Sequence, residues 1–285
     1  MNGSFETGRT CALAVASGRE LARFATRYDG LFPEKSFDAG LYGALSMAGA
    51  FCAPWATVEG LRAVNRASLL VFALDRLIDE EASSREQVGA LVGECLAAAG
   101  GPAAGGAAPE SQAAAFVADL RSDLAAPPEL DRAWRDQLER MLRAMAREWD
   151  WSGSEHPPTR QEYLANADSC GALFIGLSHW IHTGLVEAPR DLDRLRPAAD
   201  AVQRYLRLLN DLATWRRESG SGDVNAFTLG MELDEVIEQL SELADEATEL
   251  IEPLRDAYPR AAEYLTWQIN YSAGFYGLSD FWAES

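Results

Sequence analysis

Helical spacing runs through this chain almost from end to end. Apolar residues recur at i, i+3, i+4 and i+7 in nearly every segment, and nowhere do they alternate with period 2. That excludes a half-buried sheet and leaves helix packed on helix as the way to build a core. The spacing predicts helices over 10–28, 37–52, 57–81, 83–99, 110–124, 128–151, 159–184, 192–218, 233–258 and 259–282. Two of them open on capping patterns, Ser83 with Glu86 and Thr159 with Glu162. The Gly/Ala/Pro-rich stretch 100–109 and the segment 152–158 read as a surface loop and a turn. No repeat appears, and no linker is long enough to separate domains. Residues 1–285 therefore read as one all-α domain, a bundle of about ten helices.

Charge narrows the partners. The net charge is −19, from 44 acidic and 25 basic residues, which argues against nucleic acid and anionic membrane surfaces. No uncharged apolar run is long enough to span a membrane, and the N-terminus has neither the basic nor the apolar region of a signal peptide. Cys11, Cys52, Cys95 and Cys170 are scattered without paired spacing and read as free thiols of a reducing cytoplasm. His179 and His182 stand at i, i+3 but lack a third ligand in register, and His156 precedes two prolines as a loop residue.

Two stretches carry chemistry. Residues 210–218 read Asn-Asp-Leu-Ala-Thr-Trp-Arg-Arg-Glu, which places Asn210, Thr214 and Glu218 at i, i+4 and i+8. On a helix these three drift only about 80° and span about 12 Å, so they share one face. An amide oxygen, a hydroxyl and a carboxylate are hard donors that suit Mg2+. Upstream, an apolar run containing Phe72 ends in Asp75 and Asp79, again at i, i+4, with Glu80 beside them. Taken singly, each stretch also fits the polar end of an amphipathic helix.

Taken together, the two motifs resemble the metal-binding motifs of class I terpene synthases. Residues 210–218 resemble the Asn/Thr/Glu motif, and Asp75–Arg76–Asp79 stands where the aspartate-rich Asp-Asp-x-x-Asp is expected, with Arg76 replacing the second Asp. The resemblance covers roughly residues 50–282. It implies a helical bundle around a central active-site cavity, with Asp75, Asp79, Asn210, Thr214 and Glu218 acting in catalysis by holding three Mg2+ ions against a prenyl diphosphate. Divalent cations would also reconcile an anionic substrate with so acidic a chain.

The remaining cavity would shield carbocations, a task for aromatic faces. Candidates on the expected inner helices are Phe51, Trp55, Phe72, Phe174, Trp180, Trp267, Tyr271 and Phe275, with Ala167 beside an expected helix break at Gly171. The chain departs from the family at two diphosphate contacts. Ala167 and Asp168 stand where a basic pair follows Tyr163, and Phe281–Trp282 stand where the family ends in Arg-Tyr. Arg204, Arg207 and Arg217 are the candidate replacements, with Arg216 and Arg76 as further ones. The Tyr-Leu-x-Asn-x-Asp-Ser pattern from Tyr163 resembles bacterial class I diterpene synthases of secondary metabolism. It implies a C20 substrate, geranylgeranyl diphosphate or a bicyclic labdane-type diphosphate. A sesquiterpene synthase on farnesyl diphosphate, a prenyl-chain-elongating synthase and a non-catalytic helical relative are the alternatives. The resemblance also implies a homodimer.

Overall fold

The computed structural model describes residues 2–28, 30–100, 111–152, 154–218, 224–278 and 281, except for the side chains of 2 and 216–218. Among them are eleven α-helices and no strand. These are α1 (Asn2–Ala25), α2 (Ala39–Cys52), α3 (Arg62–Arg76), α4 (Arg85–Ala99), α5 (Gln112–Leu124), α6 (Pro128–Trp151), α7 (Arg160–Ala165), α8 (Ala172–His182), α9 (Pro189–Glu218), α10 (Leu233–Ile251) and α11 (Pro259–Tyr276). The stretch 101–110, expected as a loop, and Trp282, expected to close the last helix, lie outside the described residues.

Helix α3 is the axis of the bundle. It packs against α2, α5 and α8, and Leu69, Leu70 and Leu74 are completely buried in it. Each such leucine contributes about 1.5–3 kcal/mol by leaving water. The helix starts five residues later than its spacing predicts. The Thr57 hydroxyl accepts the Gly60 backbone N–H at 3.1 Å, a local turn that competes with the first helical turn. Its other end widens into a π turn over Leu77–Glu81, closed by the Ala82 N–H on the Leu77 carbonyl at 3.0 Å. That turn brings Glu81 onto Arg76 at 2.5 Å.

Caps fix several other boundaries. Asp38 caps α2 through the Leu41 N–H at 2.8 Å. Helix α4 is capped by Ser84 rather than by the expected Ser83: the Ser84 hydroxyl accepts the Gln87 N–H at 3.3 Å, and the Gln87 side chain takes the N–H of Ser83, the residue before the cap, at 2.7 Å. Thr159 and Glu162 form the expected capping box on α7.

The stretch 159–184 is not one helix. It runs as α7, a 3-10 turn over Ala167–Cys170, a left-handed Gly171 (φ 70°) and then α8. Glycine is required at this break. A Cβ there would stand 2.6 Å from Val71 Cγ2 on α3.

The last turns of α9 are held from outside. Tyr205, Leu208 and Leu209 pack with Ala226, Met231 and, from α10, Val236, Leu240 and Leu243. No helix among the described residues is long and apolar enough to cross a membrane.

Candidate active site

Three helix C-termini carry the site. Asp75 is half-buried in the last turn of α3, and Asp79 is exposed in the π turn that follows. Because a π turn advances less per residue than an α turn, Asp79 does not simply continue the face that i, i+4 spacing assigns it. Arg76, which replaces the second aspartate, is buried. It pairs with Glu81 and donates to the Leu31 carbonyl at 3.4 Å, so it braces the turn and does not point to a ligand.

Asn210 lies near the end of α9. Its side-chain N–H donates to the Tyr276 hydroxyl at 3.2 Å, at the last residue of α11. With the amide nitrogen held there, the amide oxygen is turned to the other side. Thr214 is buried, and its hydroxyl donates to the Asn210 carbonyl at 2.9 Å, which leaves the hydroxyl oxygen as an acceptor. The side chains of Glu218, Arg217 and Arg216 lie outside the described residues, as do residues 219–223. The donors that are described are all hard oxygens. Of these, Asp75 stands in the last turn of α3, where the carbonyl end of the helix dipole adds negative charge. Oxygens of this kind are the ones Mg2+ takes, and among the described residues no group of three or more His, Cys, Asp or Glu side chains is placed to hold a metal ion by itself.

An aromatic wall begins beside these donors. Phe72 lies one turn before Asp75 on α3. Its ring meets Phe281 at 5.5 Å, and Phe281 meets Phe275 of α11 at 4.5 Å. Phe275 stacks on Tyr271 at 5.8 Å, and Tyr271 stacks on Phe51 of α2 at 5.7 Å. These five rings are partly buried, and burial pushes the Tyr271 phenol up to about 12, so its ring is neutral.

Four other candidates fall outside that wall. Phe174 and Trp180 are completely buried against Trp134 and Tyr264, so they pack the core. Apolar spacing on α8 could not tell a core ring from a cavity ring. Trp55 precedes the N-terminus of α3, at the other end from the motifs, and carries the Arg260 guanidinium 4.5 Å above its ring. Trp267 is 38% exposed on α11 and stands apart from the stack. Ala167 is buried in the 3-10 turn at the α7–α8 break.

The arginines before the second motif face carboxylates. Arg204 pairs with Glu246 of α10 at 2.7 Å. Arg207 is buried. It pairs with Glu148 at 2.5 Å, lies 3.7 Å from Asp211, and donates to the Tyr163 hydroxyl at 2.7 Å and to the Ser169 hydroxyl. Two charges already neutralise this guanidinium. Its position is structural and does not suit the diphosphate contact that sequence position suggested.

Asp211, the acid between Asn210 and Leu212, is what sequence reasoning missed. It accepts the Tyr163 hydroxyl at 2.7 Å and the Ala226 backbone N–H at 2.9 Å, beyond the loop that follows the motif. Burial raises its pKa to about 6 despite these donors and Arg207. The available signal was an acid one residue off the ligand face, among the buried leucines of α9. Tyr276 was missed as well, next to a phenylalanine that the spacing had picked out.

Comparison with known proteins gives the family and the fold. The sequence model described as "Terpene synthase family 2, C-terminal metal binding" matches residues 66–257, which include both motifs. The ent-pimara-9(11),15-diene synthase of Streptomyces sp. (strain KO-3988) is 31% identical over 162 residues. The chain thus spans about half the length of that relative, 54% of each chain being aligned. Two solved structures share the fold. Linalool/nerolidol synthase from Streptomyces clavuligerus has a TM-score of 0.76 at 14% identity, covering 92% of this chain and 98% of its own. The 2-methylisoborneol synthase from Streptomyces coelicolor A3(2), solved with Mg2+ and 2-fluoroneryl diphosphate, has a TM-score of 0.74 at 17% identity, covering 92% and 91%. With most of its length matched, and with its oxygen donors at the ends of α3 and α9, the chain belongs to terpene synthase family 2.

Proposed function

We infer that this chain is a class I diterpene synthase, one domain that ionises an allylic C20 diphosphate and cyclises or rearranges the resulting cation. The observation that carries the reading is the junction of motif and wall. Phe72 stands one turn before Asp75, and Tyr276, whose hydroxyl receives the Asn210 amide, touches both Phe275 and Phe281 at under 6 Å (5.8 and 5.6 Å). Hard oxygen donors thus open directly onto aromatic faces. The C20 length is supported by the relative named for an ent-pimaradiene and by the Tyr163–Ser169 pattern.

Asp75, Asp79, Asn210, Thr214 and Glu218 would hold Mg2+, expected as three ions. When bound, Mg2+ supplies positive charge against which the leaving diphosphate develops its own. The residues of the chain do the rest. Tyr276 orients Asn210. The allylic C–O bond breaks with its electron pair leaving on the diphosphate, and no protein nucleophile is needed. Phe72, Phe275, Tyr271 and Phe51 would wall the space beside the cation, where an open π face contributes about 0.5–2 kcal/mol, and exclude water.

The test is product analysis by gas chromatography–mass spectrometry after incubation with Mg2+ and farnesyl, geranylgeranyl or a bicyclic labdane-type diphosphate. A cyclic C20 product from either C20 substrate supports the reading. A C15 product alone would make the chain a sesquiterpene synthase. A second reading, a non-catalytic relative, is favoured by one observation: the Arg204 and Arg207 guanidinium groups face carboxylates. Absence of diphosphate release from all three substrates would establish it.

A further inference from the structure

Beyond the end of α11, the chain brings one more ring back onto the site. Phe281 lies five residues past Tyr276, yet its ring is 4.5 Å from Phe275, 5.6 Å from Tyr276 and 5.5 Å from Phe72. It is partly buried in those contacts. Two of its neighbours are tied to the two motifs: Phe72 shares the last turns of α3 with Asp75, and the Tyr276 hydroxyl receives the Asn210 amide at 3.2 Å. A single ring therefore bridges the helix of the first motif and the partner of the second. Phe51 and Tyr271 lie further along the stack from Asn210, joined to it through Phe275.

Position and chemistry decide what such a ring can do. It carries no charge and no hydrogen-bonding group, so it cannot hold diphosphate. It can put a π face at the motif end of the aromatic stack, where the reading above places the newly formed cation. Loss of the ring would leave a phenyl-sized opening between α3 and α11, beside polar groups that water can reach. We propose that Phe281 is a specificity-determining residue: it seals the hydrocarbon space at the metal end and decides whether the newly formed allylic cation is held for cyclisation or captured early. Early capture has two forms. Water adds its oxygen to the cation and loses a proton, giving an acyclic alcohol, or the cation loses a proton directly, giving an acyclic polyene. The proposal rests on the terpene synthase activity inferred above.

Two measurements test it on the full chain. The first is the ratio of cyclic to acyclic products from the preferred prenyl diphosphate. Phe281→Ala should lower that ratio at least tenfold, and Phe281→Leu, which restores bulk without the π face, should fall between Ala and wild type. Leu278→Ala is the control, because Leu278 is 94% exposed in the same terminal segment and should keep the wild-type ratio. The second is calorimetric binding in Mg2+, which needs no turnover. Phe281→Ala should bind the unreactive thiolodiphosphate analogue of that substrate about tenfold more weakly and bind inorganic diphosphate as wild type does. An unchanged product ratio in Phe281→Ala overturns the proposal while leaving the terpene synthase reading intact. So does an equal loss of affinity for analogue and diphosphate, which would make the ring a general brace of the metal site. If the wild-type chain releases no diphosphate from any prenyl diphosphate, the functional reading falls and the proposal falls with it.

Discussion

The Tyr163 hydroxyl donates to the Asp211 carboxylate at 2.7 Å, joining α7 to the middle of the second motif. The same phenol oxygen accepts the Arg207 Nε–H at 2.7 Å, and Asp211 also takes the Ala226 N–H at 2.9 Å. One phenol thus links α7, a buried arginine and the far side of the loop after the motif. Tyr163→Phe keeps the ring and removes that link, leaving Arg207 and Asp211 each short of a buried partner. Such a group costs about 1–3 kcal/mol when left unpaired. Urea unfolding should show a loss of that size, whereas a loss below about 0.5 kcal/mol would mean the network relaxes onto other partners.

How much of this was legible in the sequence depended on distance along the chain. Helix existence was legible, because period 3.6 is local. So were the Thr159 cap and the break at Gly171. That Asn210 and Thr214 both fall on α9 was legible from the same period. What failed needed partners far away in sequence. Nothing local says that Arg207 faces Glu148, or that Arg76 turns back on Glu81 through a π turn. Phe174 and Trp180 could not be told from cavity rings, since burial against Trp134 and Tyr264 is a property of the packed bundle. Asp211 was hidden by its neighbours: the ligand face drew attention, and the acid one residue off it holds the scaffold.

Tyr276 acts on Asn210 from outside the set of oxygen donors. Removing its hydroxyl leaves the amide free to rotate, and partners of this kind typically govern about 10–100-fold in metal affinity. Tyr276→Phe should raise the Mg2+ concentration needed for half-maximal diphosphate release by about tenfold, with the plateau largely retained. A Mg2+ titration checks this, and superimposable curves would remove Tyr276 from the site.

The donors themselves should behave differently. Asp75→Ala and Asn210→Ala should each abolish diphosphate release while circular dichroism stays that of the wild type. Chelation by EDTA should stop release in the wild type, and added Mg2+ should restore it. Full activity in Glu218→Ala would show that the second motif has been read in the wrong register.

Two buried groups titrate against each other. Burial lowers the His179 pKa from 6.5 to about 4, and neither ring nitrogen has a well-formed hydrogen bond among the described residues. The unfolded chain therefore takes up that proton first, and the stability present above pH 6.5 is lost as pH falls towards 4. Asp211 is the reverse case. Burial raises its pKa from 3.8 to about 6, so its contribution is full below 3.8 and lost as pH rises through 6. In the wild type the two slopes offset each other over the same window. Asp211→Asn should unmask a steep loss of stability on acidification, and His179→Phe should unmask the opposite slope. Identical pH dependence in all three proteins would mean that neither group is buried as described.

Gly171 offers the most direct test of the helix break. Its φ of 70° is strained for any other residue, and an added Cβ would stand 2.6 and 2.9 Å from the two methyls of Val71 and 3.2 Å from the Met141 sulfur. Left-handed strain and overpacking each cost about 1–3 kcal/mol, so Gly171→Ala should be destabilised by about 2–6 kcal/mol. The two causes are separable. Val71→Ala removes the methyls that the new Cβ would strike but does nothing for φ. In the Gly171→Ala background, Val71→Ala should therefore recover some of the loss, although alone it destabilises by opening a cavity. Val71 lies one turn before Asp75 on α3, so the same clash should push on the first motif. Gly171→Ala should raise KM along with its loss of stability, and the double variant should recover part of both together. Recovery of stability without recovery of KM would show that the break supports the fold without positioning Asp75.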